Sequence, residues 1–107
     1  MAQVQICVRN QNGNAMVSVD GIAFITLLAS DGRTIGQQSV TLRYADADFP
    51  NLEPGSYTAM VSHPSVEPTV ARYDFGIQSA TEIIQVFFMY SEPERVLLRS
   101  FMELRAR

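Results

Sequence analysis

The sequence contains no lysine, one cysteine and one histidine. The single thiol, Cys7, has no partner for an internal disulfide, so the stability of the fold cannot depend on oxidation. A reducing compartment is therefore permitted, and we expect the protein to be cytoplasmic. The first residues lack the basic and then apolar segments of a signal peptide, and no apolar run approaches the ~20 residues that cross a bilayer.

The charge balance argues against a nucleic-acid or membrane ligand. The net charge is −3, and arginine supplies all eight basic residues. Residues 1–90 hold four arginines against eight acids, whereas residues 91–107 hold four arginines against three glutamates. A binder of phosphates would present a larger basic patch. We expect neither nucleic acid nor a membrane as a partner, and we interpret the mildly basic end as an exposed strand face beside acidic neighbours.

The sequence offers little for catalysis. A hydrolytic triad requires an imidazole beside a nucleophile and an acid, and the only histidine, His63, lies in a segment with prolines at 64 and 68. No spacing joins it to a nucleophile, so we expect a solvated loop histidine. The six glycines fall in separate turns or strand ends rather than in a phosphate-binding loop. We therefore predict no catalytic residue and no bound cofactor.

Metal binding has equally weak support. One cysteine and one histidine supply no paired ligands for zinc. Asp46 and Asp48, with Asp31 or Asp20 brought near by strand pairing, offer at most a loose set of oxygen ligands for calcium. Acids in turns usually bond to their own backbone instead, so we predict no metal site.

Alternation of polar and apolar residues predicts the fold. Runs of period two, separated by Gly, Pro, Asn and Asp turns, indicate seven or eight strands. The predicted strands are Gln3–Arg9, a short strand or bulged approach at Ala15–Val19, Ile22–Ala29, Gln38–Tyr44, Ser56–Ser62, Thr69–Ile77, Ile83–Tyr90 and a segment within 94–107. Ile22–Ala29 is apolar on both faces, so a helix fragment is the alternative there, although eight residues are short for a helix. The pattern predicts a single all-β domain over residues 1–107, an antiparallel β-sandwich.

The last segment allows two structures. Ser91-Glu92-Pro93-Glu94 has the Ser-x-x-Glu spacing of a helix capping box, and apolar residues recur at helical spacing after it. From Val96 to Ala106, however, the side chains also alternate almost without fault, and Ser-Glu-Pro-Glu makes a good four-residue hairpin loop. We predict a strand, with the helix as the alternative.

The segment Phe49 to Tyr57 carries the most specific motif. Pro54 and Gly55 favour a type II turn, since proline presets φ at its first central position and glycine accepts positive φ at the next. An apolar anchor, Leu-x-Pro-Gly and then tyrosine resembles the prealbumin-like (transthyretin-like) sandwiches of the carboxypeptidase regulatory-like and Cna-B type. The resemblance covers residues 3–77 and implies a prealbumin-like sandwich, with an immunoglobulin-like sandwich as the alternative. Transthyretin-like folds include hydroxyisourate hydrolases, but their histidines and C-terminal Tyr-Arg-Gly-Ser are missing from this sequence, so we do not expect that activity.

Apolar side chains on both faces of the last strands suggest an interface. Phe87 and Phe88 are adjacent and must face opposite sides, while Leu97 and Phe101 lie on the arginine-rich face of the next predicted strand. A two-layer sandwich has one interior, so we predict that these four residues cover an outer surface shared with a partner. The expected partner is a second copy, forming a homodimer, or another protein.

These observations predict a non-enzymatic module that acts through protein association, chiefly self-association. The alternative function is binding of carbohydrate or another small ligand, as accessory domains of the resembling families imply. That alternative requires the tyrosines to cluster with the acids Asp46, Asp48 or Asp74; they are Tyr44, Tyr57, Tyr73 and Tyr90. An enzyme would require His63 to meet Ser62, Ser65 or an acid in a cleft.

Overall fold

The computed structural model describes residues 1–105, which form eight β-strands in two four-stranded sheets. The strands are β1 (Ala2–Asn10), β2 (Ile22–Ala29), β3 (Thr34–Thr41), β4 (Asp46–Leu52), β5 (Gly55–Ser62), β6 (Val70–Ile77), β7 (Ile83–Ser91) and β8 (Val96–Arg105). The strand orders are β4-β1-β7-β8 and β3-β2-β5-β6. The predicted β-sandwich is confirmed. Among the described residues, no helix has the length and apolar composition to cross a membrane.

One strand pair departs from the antiparallel expectation. The first strand, β1, pairs in parallel with β7, from Gln3 opposite Ile83 to Asn10 opposite Tyr90. β7 is consequently an inner strand, flanked by β1 and β8, which agrees with its apolar composition. The first and seventh strands thus lie side by side in the middle of one sheet, and β8 lies at its edge.

Alternate side chains of both sheets meet in one core. The largest fully buried side chains include Tyr90, Phe88, Ile6, Ile25, Leu27 and Ile84. Each buried side chain of this size stabilises the fold by about 1.5–3 kcal/mol relative to an exposed one. The faces that point away from the core are the ones open to a ligand or a partner.

The Phe49 to Tyr57 segment carries the chain from one sheet to the other. Phe49 and Leu52 anchor β4 in the core, where they are 5% exposed. Gly55 has φ of 152°, a value that favours glycine, and β5 begins there. The Tyr57 hydroxyl donates a hydrogen bond to the carbonyl oxygen of Glu53 at 2.6 Å. The motif therefore closes the corner between the two sheets.

The last segment is a strand, as predicted, and residues 106–107 of that prediction lie outside the described residues. Its loop accommodates Arg95 with φ of 61°. The register then jumps: Met89 pairs with Arg99 but Tyr90 pairs with Leu97, so Leu98 has no partner. This bulge reverses the inward and outward alternation between Leu97 and Arg99.

Two predicted strands are wrong in place. Residues 15–19 belong to the long connection between β1 and β2, and the strand predicted at 38–44 is β3, which begins at Thr34 and ends at Thr41. The sequence analysis also missed β4, which contains Pro50 and lies at the edge of its sheet. An edge strand tolerates proline because one row of its N–H groups faces away from any partner strand.

A pair of glycine variants tests how closely the sheets approach at this edge. A Cβ on Gly36 of β3 would lie 2.9 Å from Cε1 of Phe49, whereas the nearest atom to a Cβ on Gly76 is 3.8 Å away. We expect Gly36→Ala to lower the free energy of unfolding by about 1–3 kcal/mol, because the buried ring must shift. Gly76→Ala is the matched control and should change it by less than about 0.5 kcal/mol. Equal losses in urea unfolding would contradict this packing.

Candidate functional site

A row of four polar side chains crosses the outer face of the β4-β1-β7-β8 sheet. Strand register places Asp48 beside Gln5, Gln5 beside Gln85, and Gln85 beside Glu103. Their strand neighbours Ala47, Ile6 and Val86 point into the core and are fully buried. Because alternate residues of a strand face opposite sides, the four polar groups share the outward face. We call this set the polar row.

An open groove of about 330 Å³ follows the polar row. Its lining residues are Gln3, Gln5, Asp48, Ile83, Gln85 and Arg105. The Arg105 Nε donates a hydrogen bond to Gln85 Oε1, and the Gln85 Nε2 donates one to Gln5 Oε1 at 2.6 Å. One carboxylate, one guanidinium and several carboxamides therefore line one surface, which we call the polar groove.

A second groove, of about 450 Å³, lies against the other sheet. It is lined by Ser30, Ser56, Tyr57, Thr58, Asp74 and Phe75. The Asp74 carboxylate in this groove already accepts a hydrogen bond from the Thr58 hydroxyl at 2.6 Å. The lining of the second groove contains no cationic side chain. The polar groove thus offers the more varied chemistry, although it is the smaller of the two.

Beside the polar groove, Cys7 is buried and unreactive. It is 0% exposed, although it lies between the polar residues Gln5 and Arg9 on its face of β1. Burial and, next, the Asp46 carboxylate raise the pKa of Cys7 to about 12. Asp46 itself forms an ion pair with Arg9 at 2.7 Å. The thiol therefore stays protonated at neutral pH and is not a nucleophile there.

Two of the predicted interface residues meet on the same outer face. Phe87 and Phe101 are cross-strand partners, and their rings stack with centroids 5.1 Å apart. The Arg99 guanidinium lies over the Phe101 ring, 4.7 Å from its centroid. Both phenylalanines are half-buried, and their part in an interface stays a prediction.

The other two predicted interface residues lie on the inner face. Phe88 is fully buried in the core, as expected if it faces away from Phe87, and so it is excluded from an outer surface. Leu97 pairs with the buried Tyr90 and packs against the core, because the bulge at Leu98 turns it inward. The placement of Leu97 on the same face as Phe101 is therefore wrong.

His63 is not the solvated histidine that the sequence suggested. Its imidazole is 1% exposed and packs against the backbone of Gly21, where an added Cβ would lie 3.2 Å from Nε2. The Nδ1 atom accepts a hydrogen bond from the Ser65 N–H at 3.0 Å, and within residues 1–105 the Nε2 atom has no partner. Burial lowers the pKa of His63; the nearby backbone of Asp20 and Gly21 offsets part of this effect, and the Arg95 charge adds to the lowering.

His63 and the tyrosines do not assemble into the sites considered above. His63 is enclosed by loops rather than exposed in a cleft with Ser62 or an acid. Tyr90 is buried in the core, Tyr57 and Tyr73 flank Phe75, and Tyr44 is 81% exposed. Tyr57 does share the second groove with Asp74, but the four tyrosines do not form the common cluster that carbohydrate binding required. Within residues 1–105, no three His, Cys, Asp or Glu side chains lie close enough to hold a metal ion.

The sequence analysis missed the role of Glu92. Its carboxylate accepts hydrogen bonds from the Asn10 side chain at 2.9 Å and from the Ser18 N–H at 2.8 Å. These bonds, led by the one from Asn10, lower the pKa of Glu92. They tie the β1–β2 connection to the β7–β8 loop. The only signal in the sequence was the Ser-Glu-Pro-Glu turn, which gave no indication of these distant partners.

Comparison with known proteins agrees with this architecture. The sequence matches no protein-family model and no curated protein sequence. The structure is similar to that of a 5-hydroxyisourate hydrolase from Klebsiella pneumoniae, with a TM-score of 0.65 and 14% identity over 97% of this chain and 99% of that one. This chain has a transthyretin-like fold. The fold implied by the Phe49 to Tyr57 motif is thereby confirmed.

The same comparison corrects the predicted function. We expected a non-enzymatic module acting through association, with small-ligand binding as its alternative. A protein of the same fold and nearly the same extent is named as a hydrolase, so the fold of this chain gives no reason to exclude catalysis. The prediction of a non-enzymatic module rested on the absence of a histidine-centred triad, and a protein of the same fold that is named as a hydrolase contradicts it.

The buried histidine predicts a specific pH dependence. The pKa of His63 in the folded protein lies below the ordinary 6.5, so its contribution to stability is complete above pH 6.5 and is lost as the pH falls through the folded value. We expect the ring C–H signals of the one histidine in a proton NMR titration to give a pKa below 6.5. A midpoint at or above 6.5 would contradict the burial of this ring.

Proposed function

We propose that the protein is a hydrolase of a small polar carbonyl compound and that the polar groove is its active site. The observation that carries the proposal is the meeting of Asp48, Arg105 and Gln5 in one open groove. They come from the three strands β4, β8 and β1. A site built on rigid strands keeps such groups at fixed separations.

The chemistry of these groups suits hydrolysis. The Asp48 carboxylate would accept a proton from a water molecule whose oxygen forms a bond to the carbonyl carbon of the substrate. The Arg105 guanidinium and the Gln5 amide would donate to the oxygen that becomes negative in the transition state. As the carbon–nitrogen or carbon–oxygen bond breaks, the leaving group takes the proton back. Water and substrate are then the only reactants.

The substrate is proposed by chemical class. The similar hydrolase is named for 5-hydroxyisourate. The polar groove, however, contains no imidazole, because the only histidine belongs to the loops near Val96, at the opposite end of β8 from Arg105. 5-Hydroxyisourate is accordingly one test substrate among small cyclic amides, ureides and esters.

Replacement of Asp48 tests this proposal. We expect the wild type to hydrolyse at least one compound of this panel, followed by absorbance, and Asp48→Asn to lower kcat/KM about 10²–10⁴-fold by removing the base. Asp31→Asn is the matched control, because Asp31 lies in the β2–β3 turn of the other sheet and should leave the rate unchanged. The proposal fails if the wild type accelerates no reaction, or if the two variants behave alike.

We further propose a kinship with the carboxypeptidase regulatory-like and Cna-B-type domains. The buried Phe49 and Leu52, the glycine at φ of 152° and the Tyr57 hydrogen bond support it, since each part of the motif has a structural role. We also propose a cytoplasmic location. It is supported by the single cysteine, Cys7, which has no partner for an internal disulfide.

A homodimer is the proposed assembly, supported by the stacked Phe87 and Phe101 beside the polar groove. We expect the wild type to sediment as a dimer and Phe101→Arg to sediment closer to a monomer, because a second arginine beside Arg99 is costly to bury against a partner. Phe24→Arg is the control on the outer face of the other sheet, where Phe24 is 45% exposed. A wild-type mass of one chain at high micromolar concentration would exclude the dimer.

A further inference from the structure

We propose that Gln85 sets the hydrogen-bond polarity of the polar groove, so that the groove selects ligands with a carbonyl oxygen over ligands that present only N–H groups. The inference rests on the proposed function, because it assumes that the polar groove binds small molecules. It adds a specificity-determining residue, Gln85, which acts by fixing the orientation of its neighbour, Gln5.

The polarity begins at Arg105. A guanidinium group has five N–H donors and no acceptor. Its Nε lies within hydrogen-bond distance of the Gln85 carboxamide, so the atom of Gln85 that faces Arg105 must be the oxygen. The orientation of the Gln85 carboxamide follows from chemistry, since the opposite orientation would bring two donors together.

The orientation of Gln85 in turn fixes the orientation of the Gln5 carboxamide on β1. With its oxygen held by Arg105, Gln85 can offer only its Nε2 to Gln5, and it donates to Gln5 Oε1 at 2.6 Å. The Gln5 Nε2 is therefore turned away from Gln85. Among the side chains and backbone of residues 1–105, it has no acceptor. The chain of donors from Arg105 through Gln85 thus presents the Gln5 amide to the groove as a donor.

This arrangement defines the edge of a fitting ligand. A carbonyl oxygen would accept from the Gln5 Nε2, and the adjoining N–H would meet the carboxylate of Asp48, which is the strand partner of Gln5. A ligand with the edge –CO–NH– satisfies both groups. An amidine of the same shape places an N–H donor against the Gln5 donor, and an unpaired polar contact of this kind is costly.

Two variants reverse the polarity by different routes. In Gln85→Glu, a carboxylate accepts from Arg105 and also from Gln5, so the Gln5 amide turns and presents its oxygen to the groove. In Gln5→Glu, Gln85 keeps its orientation and donates to one carboxylate oxygen, while the second oxygen faces the groove. Gln3→Glu is the matched control, because this substitution adds the same charge to the same groove. Among the described residues, the Gln3 side chain has no hydrogen bond to Gln85 or Gln5.

The probes are benzamide and benzamidine, which have the same shape. Benzamidine carries a nitrogen in place of the carbonyl oxygen and is a cation at neutral pH, so the charge-matched Gln3→Glu variant separates the effect of charge from that of hydrogen-bond polarity. We expect NMR titration to show that the ratio of their dissociation constants moves toward benzamidine about tenfold further in Gln85→Glu and Gln5→Glu than in Gln3→Glu, as one reversed hydrogen bond would require. In Gln85→Glu, the side-chain NH₂ signals of Gln5 should also shift downfield without any ligand.

The outcomes separate this inference from the proposed function. If the wild type binds benzamide but all three variants change the ratio equally, charge alone sets the preference and Gln85 has no such role, whatever the hydrolysis assays show. If the polarity reverses as expected while no substrate is hydrolysed, the inference stands and the proposed hydrolase falls. Binding of neither probe by the wild type overturns the inference, whereas the hydrolysis assays decide the proposed function.

Discussion

The parallel pairing of β1 with β7 is the constraint on which the rest of the structure depends. It joins the first strand of the sequence to the seventh over eight residue pairs and makes both inner strands of one sheet. Neither strand can slip by one residue, because a slip would bring Gln5 and Gln85 into the core and expose Ile6 and Val86. The alternation that builds the core therefore also places the two carboxamides side by side outside it.

The same pairing brings distant parts of the sequence together at both ends of the sheet. At one end, the loops after β1 and β7 are neighbours, so Glu92 can hold Asn10 and Ser18. At the other end, Arg105 at the end of β8 reaches Gln85 on β7. One end is thus occupied by hydrogen bonds within the chain, whereas the other retains donors and a carboxylate for a ligand. This difference distinguishes a structural cluster from a candidate site.

Local patterns in the sequence predicted most of the strands and the corner from Phe49 to Tyr57. These patterns predicted burial correctly where one face of a regular strand covers the core, as in the alternation of Val4, Ile6 and Val8. They failed where a contact joins residues far apart in the sequence. The bulge that turns Leu97 inward depends on the register with β7, and the burial of His63 depends on the approach of Gly21. β4 escaped detection because an edge strand needs only a weak pattern.

The polar row could not be predicted from the sequence, because it too depends on contacts between residues that are far apart in the sequence. Gln5, Asp48, Gln85 and Glu103 are ordinary solvent-facing residues of four separate strands, and only the sheet order makes them neighbours. A search for histidine or cysteine spacing has no means of finding such a set. A protein named as a hydrolase has the same fold, so the fold itself does not exclude catalysis, and the polar groove contains a carboxylate, a guanidinium group and carboxamides.

The central claim is that the outer face of the β4-β1-β7-β8 sheet is the functional surface. A crystal structure of the wild type soaked with benzamide tests it most directly. The account predicts the carboxamide in the polar groove, with its oxygen within hydrogen-bond distance of Gln5 Nε2 and its nitrogen beside Asp48. Ordered ligand only in the groove of Tyr57 and Asp74, or on the outer face around Phe24, would contradict it.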